Sequence, residues 1–208
     1  MPFCWLSRVR PSLPLVTASL RCPRLVSYGS RVALDISIAR TGSADDGAFV
    51  AEVTELVNNV YADAEKGLWQ PGAQRTHAAE MAAIIRAGEL GVASAGAKLV
   101  GAVRVCRLAT GEAEFGMLVA DPAHRGVGVG RELVAFAESW AHGQGLDRMQ
   151  LELLVPRDGT HPVKEFLREW YTRLGYREVR RDPFEEAHPA LQPQLATPCD
   201  FVIFHKPL

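Results

Sequence analysis

The sequence predicts an α/β (α+β) fold, with helices packed on the faces of a mixed sheet. Two observations carry this. Three strand-like segments follow one another between Leu90 and Ala120, the pattern of a meander. After Gly128 the hydrophobic period switches to an alternation of helix and strand, which adds strands to the sheet and covers it with helices.

The elements follow in order. From Leu34 to Ala39 apolar and polar residues alternate, which predicts a first strand. The polar turn from Thr41 to Asp46 offers cap residues to a helix whose apolar positions Phe49, Val53, Leu56, Val57 and Val60 recur at helical spacing. Residues 67–72 read as a loop carrying Trp69, and a second helix is predicted over 76–87, with Met81, Ile84 and Ile85 on one side. Strands over 90–94, 99–108 and 113–120 are separated by Ala95-Gly96 and Thr110-Gly111, both turn signals. A helix over 128–142 buries Leu133, Val134, Ala137 and Trp140. A strand over 149–155, a helix over 163–173 and strands over 176–180 and 201–204 complete the chain.

Size and composition set the outer limits. A chain of 208 residues with 48% hydrophobic and 23% charged residues suits one globular domain. A net charge of -1 argues against a basic nucleic-acid-binding surface, and no apolar run reaches the ~20 residues that span a bilayer. Cys4, Cys22, Cys106 and Cys199 are scattered, without metal or redox spacing, which fits free thiols in a reducing cytoplasm. His77, His124, His142, His161, His188 and His205 form no metal-ligand pattern either, so no metal site is expected. From Met1 to Leu34 there is no acidic residue, while five arginines and four prolines are present. That segment, taken as 1–33, is expected to be a disordered extension or the product of a start codon assigned too far upstream, with the domain spanning 34–208.

The chemistry concentrates in Arg125-Gly126-Val127-Gly128-Val129-Gly130, which follows a strand and opens a helix. Glycines let the backbone approach a ligand, and the first turn of a helix presents unpaired N–H groups to an anion. Arg125 and Arg131 add positive charge, so a bound phosphate or pyrophosphate is the natural reading. A nucleoside triphosphate loop would need Lys-Ser/Thr after the last glycine, and Arg131-Glu132 stands there instead. A dinucleotide fold would need G-x-G-x-x-G after the first strand, and an acid at the end of the second; Glu152 lies well inside its strand. A coenzyme A pyrophosphate loop remains.

The run from Leu118 to Gly130 resembles the GNAT superfamily of acetyl-CoA-dependent N-acetyltransferases, in which a splayed strand enters a (Gln/Arg)-x-x-Gly-x-(Gly/Ala) loop. Tyr171, four residues before Gly175-Tyr176, is similar to the family's second signature. The resemblance implies a mostly antiparallel sheet, splayed at the acetyl-CoA site. It implies that Leu118, Val119 and Ala120 offer backbone groups to the pantetheine arm and the acetyl carbonyl. Gly126, Val127, Gly128, Val129 and Gly130 would hold the pyrophosphate, with Arg125 and Arg131 screening its charge. The implied chemistry is direct attack of a neutral amine on the thioester, with Tyr171 as general acid and Glu114, eleven residues before Arg125, as candidate base. Lys164 occupies the approximate position of a family asparagine that contacts coenzyme A, and is expected to pair with a phosphate instead. Glu65, Lys66 and Trp69 fall where the acceptor pocket is usually built, and the insertion from Asp182 to Pro198 is expected to shape it. The acceptor would be a small-molecule amine or a protein amino group, with no nucleic-acid or membrane partner and a homodimer as one assembly. The alternative is a coenzyme A-binding regulatory domain without catalysis.

Overall fold

The computed structural model describes residues 33–208; the expected N-terminal extension lies outside them apart from Ala33. The chain runs β1 (Leu34–Ile38), α1 (Gly47–Ala64), α2 (Ala78–Arg86), β2 (Leu90–Ala95), β3 (Lys98–Arg107) and β4 (Ala113–Ala120). It continues through α3 (Val129–Gly143), β5 (Arg148–Pro156), α4 (Pro162–Arg173), β6 (Arg177–Pro183), α5 (Phe184–Ala187) and β7 (Cys199–Pro207). The order is the predicted one. Asp46 caps α1 as expected, its carboxylate accepting from the N–H groups of Ala48 and Phe49.

The ends differ where polar residues decide them. His77 caps α2, its Nδ1 accepting from the Glu80 N–H at 3.2 Å. Thr76 is therefore left outside the helix, buried, with its N–H on Asn58 Oδ1. β7 is longer than its apolar residues suggest, because nine residue pairs tie it to β5, from Arg148↔Pro207 to Pro156↔Cys199. The four-residue α5 is an addition, hidden in the proline-rich insertion.

The seven strands form one sheet in the order β1-β2-β3-β4-β5-β7-β6. Every neighbouring pair is antiparallel except β4 and β5. One face packs against α3 and α4 around Leu133, Phe115 and Tyr171. The other packs against α1 and α2 around Val53, Met81 and Ile85. A third cluster, around Phe184, Phe201 and Leu191, lies under the insertion.

Two irregularities in β4 shape everything that follows. The first is a bulge: Ala102 opposes Val119 and Arg104 opposes Gly116, so Val103 spans two residues. Met117 absorbs it with φ 49°, a left-handed conformation costing about 1–2 kcal/mol for a residue with a side chain. The bulge swaps faces. Phe115 lies on the α3/α4 side, whereas Met117 and Val119 join the α1/α2 core. The second is a parting: β4 and β5 pair only at Ala113↔Met149 and Glu114↔Gln150, then splay.

Candidate active site

The β5-facing edge of β4 beyond Glu114 has no strand against it, and it carries Leu118, Val119 and Ala120. β4 runs into a 3-10 turn (Pro122–His124), braced by Asp121. The Asp121 carboxylate accepts from the Ala123 N–H at 2.9 Å and from Lys98 Nζ at 2.8 Å. Lys98 and these bonds hold that carboxyl below its ordinary range. His124 is turned the same way, its Nδ1 3.2 Å from Asp121 Oδ2.

The glycine loop then opens α3. Gly126 and Gly128 have φ of 82° and 93°, and a Cβ built on either would meet nothing within 4 Å. Gly128 sits at the N-cap without a side-chain cap, so the first N–H groups of α3 point outward. Arg125 and Arg131 are exposed at either end of the loop, and Gly130 lies beside the Trp170 ring of α4. Backbone conformation, open space and charge together make a cradle that fits an anion.

Where the strands part, a cavity of ≈ 130 Å³ opens at the meeting point of the three apolar clusters. Glu114 and Tyr171 both line it, so the fold brings together the two residues singled out from the sequence. Leu118 reaches the same cavity. Tyr171 is 6% exposed and is held among Phe115, Trp170, Tyr176 and Phe204, with ring centroids 5.0–6.3 Å apart. Burial, reinforced by Tyr61, drives its hydroxyl well above the ordinary tyrosine range, so it stays protonated. Tyr176, by contrast, donates its hydroxyl to Glu138 Oε1 at 2.8 Å and serves the core.

Glu114 belongs to a polar row that crosses four strands: Cys106 on β3, Glu114, Gln150 on β5 and His205 on β7. Gln150 Nε2 donates to Glu114 Oε2 at 2.9 Å, and its amide oxygen is 2.9 Å from His205 Nε2. An amide oxygen only accepts, so His205 donates and fixes which way Gln150 faces. Burial raises Glu114 above the ordinary carboxylate range, although the Gln150 bond and Arg104 oppose it. Arg104 is itself held by Glu89 at 2.7 Å.

Sequence reasoning weighed Glu152 only as the acid of a dinucleotide fold and gave it no role in the site. It stands two residues beyond Gln150 on the same face of β5, and lines the cavity where the strands have already parted. Burial first, and the neighbouring Glu114 carboxylate second, push it up to about 8. Its signal was present as a charged residue inside the apolar run Leu151 to Val155.

Lys164 corrects an expectation. It is 3% exposed and turned inward, its Nζ donating to Glu65 Oε1 at 2.6 Å, rather than facing a phosphate. Glu65 also accepts from Trp69 Nε1 at 2.6 Å. The expected pocket residues Glu65 and Trp69 therefore do line the cavity, while Lys66 is exposed. Phe184, His188 and Leu191 of the insertion form part of the wall. Among the described residues no group of His, Cys, Asp and Glu could hold a metal ion, and no helix is long and apolar enough to cross a membrane.

Solved structures of several acetyltransferases share this fold. PaiA N-acetyltransferase from Thermoplasma acidophilum, in complex with coenzyme A, superposes with a TM-score of 0.63 at 15% identity, covering 85% of this chain and 99% of its own. A mosquito arylalkylamine N-acetyltransferase-like protein 5b gives 0.61 at 14% identity, covering 85% and 100%. Ard1 from Thermoplasma volcanium gives 0.57 at 15%, covering 85% and 99%. At such identities the likeness speaks for the fold alone. No curated protein matches the chain. A family model for GNAT acetyltransferases matches residues 54–176, from within α1 through the glycine loop to Tyr176. That match spans more than half of the sequence, and the chain belongs to the GNAT acetyltransferase family.

Proposed function

We propose that this chain is an N-acetyltransferase that passes the acetyl group of acetyl-CoA directly to an amino group within a ternary complex. The observation that carries the reading is the parting of β4 from β5 immediately after Glu114↔Gln150, between the uncapped start of α3 and the cavity. An extended pantetheine arm needs backbone partners along one side, and Leu118, Val119 and Ala120 lie on an edge that can supply them. A pyrophosphate suits the N–H groups of Gly126, Gly128, Val129 and Gly130, with Arg125 and Arg131 at its flanks, while the Val127 N–H donates to the His124 carbonyl at 3.3 Å. The Thermoplasma acidophilum relative of the same fold binds coenzyme A, which supports the same assignment.

Acetyl-CoA supplies a thioester carbonyl open to attack by a neutral amine. Glu114 takes the amine proton as the C–N bond forms, directly or through water. Tyr171 gives its hydroxyl proton to the sulfur as the C–S bond breaks. A backbone N–H of β4 stabilises the charge gathering on the carbonyl oxygen. Their burial suits both roles, since it keeps Glu114 basic and Tyr171 protonated. Cys106 and Cys199 are free thiols, which supports a reducing, cytoplasmic setting.

Acetyl-CoA is expected to raise the melting temperature, because a ligand at a hundredfold its Kd stabilises by about 2.7 kcal/mol. Arg125→Glu and Arg131→Glu should weaken that binding by about tenfold or more while leaving the unliganded protein unchanged, since both side chains are exposed. They are better probes than Gly128→Val, which would force valine to φ 93°. No shift at saturating acetyl-CoA, in a folded sample, would sink the reading.

A further inference from the structure

We infer that the acceptor is a small primary amine on an apolar, preferably aromatic body, and that Glu152 receives its ammonium in the cavity, from which one proton passes to solvent before the neutral nitrogen attacks. The inference rests on the acetyl-transfer reading of the same site and narrows it.

Charge is the first argument. Three of the cations in or near the cavity are held in ion pairs. Arg104 is bound to Glu89 at 2.7 Å, Lys164 to Glu65 at 2.6 Å, and Arg180 to Asp182 at 2.7 Å. Arg75 lies over the Tyr61 ring, 5.0 Å from its centroid. The carboxylates are not balanced in the same way. Glu114 accepts from a neutral amide, and Glu152 has no ion pair or hydrogen bond among the described residues. Glu152 therefore has no partner of its own at bonding distance, although Arg180 and Arg75 act on it from further away, and beside Glu114 on the neighbouring strand it makes a place that an ammonium can pair with. Glu114, Arg75, Arg180 and Asp182 are the charged groups that act on Glu152.

Shape is the second. The cavity wall is mainly apolar and aromatic, with Tyr61, Trp69, Phe184 and Phe201 among its members. Its roof is tied shut. The loop after α1 and the segment after α5 are joined by Gln70 N to Gln194 O at 2.8 Å, Ala196 N to Leu68 O at 2.9 Å and Thr197 Oγ1 to Gly67 O at 3.0 Å. Trp69 pairs with Leu195 as an isolated bridge and packs edge-on against Phe184, with ring centroids 5.6 Å apart. A peptide cannot pass between these two segments, because the hydrogen bonds join them. A compact amine needs only the cavity itself.

The test uses the full chain and isothermal titration with four probes. 2-Phenylethylamine should bind. 2-Phenylethanol, which lacks the charge, and phenylalanine, which brings a carboxylate toward Glu152, should each bind about tenfold more weakly or worse. So should trialanine, which carries the same ammonium on a peptide. Glu152→Gln should weaken 2-phenylethylamine by about tenfold while acetyl-CoA still binds. Because Glu152 is held protonated near neutral pH, binding should release a proton, so the measured heat varies with buffer in the wild type and not in Glu152→Gln. Affinity should rise as pH climbs toward 8. Trialanine binding as well as 2-phenylethylamine, no binding of the amine, or equal binding by Glu152→Gln would overturn the inference. If Glu152→Gln does not fold, the four probes on the wild type decide. A protein that binds the amine and not acetyl-CoA would instead refute the transfer reading and leave the amine site standing.

Discussion

Tyr171 lines the cavity, and an aromatic cluster fixes its ring from several directions. Tyr171→Phe keeps that ring and removes one oxygen, so packing and acetyl-CoA affinity should hardly change. Turnover with a real acceptor should fall by about tenfold to a thousandfold, the usual range for a lost proton-transfer group. An unchanged rate, with chemistry shown to limit it, would return Tyr171 to the core. This residue was legible because a tyrosine before Gly175-Tyr176 is a local pattern. Glu152 was not, because its importance depends on β4 and β5 having parted beside it, a distance no spacing records. The bulge at Met117 hid for a related reason. The run Phe115 to Ala120 reads as an ordinary strand, and only the register against β3 reveals that its faces exchange.

At the scale of elements, the buried pair Lys164–Glu65 fastens α4 to the end of α1, with both side chains almost fully enclosed. Lys164→Met should cost about 3 kcal/mol or more in denaturant unfolding, because it strands the Glu65 carboxylate with Trp69 as its remaining donor. Adding Glu65→Gln should recover most of that loss, since the penalty comes from an uncompensated charge. A single variant as stable as the wild type would show that the pair does not fasten the two helices. Helices and strands with strong periodicity were all readable, and so was the cap of α1 at Asp46. What escaped was long-range pairing. Lys164 and Glu65 lie 99 residues apart, and nothing local marks one as the partner of the other.

For the whole molecule, the described sheet closes on one side at β1, whose pairing runs to β2 alone. From the acid-free, proline-interrupted composition before Leu34, the domain is proposed to begin at about Ala33. Deleting residues 2–31 should leave the melting temperature within about 2 °C and acetyl-CoA binding intact; a larger loss would move the boundary upstream. The sheet itself is less unified than its seven strands suggest. Four strands on one side and three on the other meet through two residue pairs of backbone. Mechanically these are two plates on a short hinge, while the remaining ties between them run through side chains and covering helices. A molecule seated in the gap is expected to act as a shim that fixes the angle between the plates. Amide exchange in β6 and β7, on the other plate from β4, therefore becomes a gauge of whether the gap is filled.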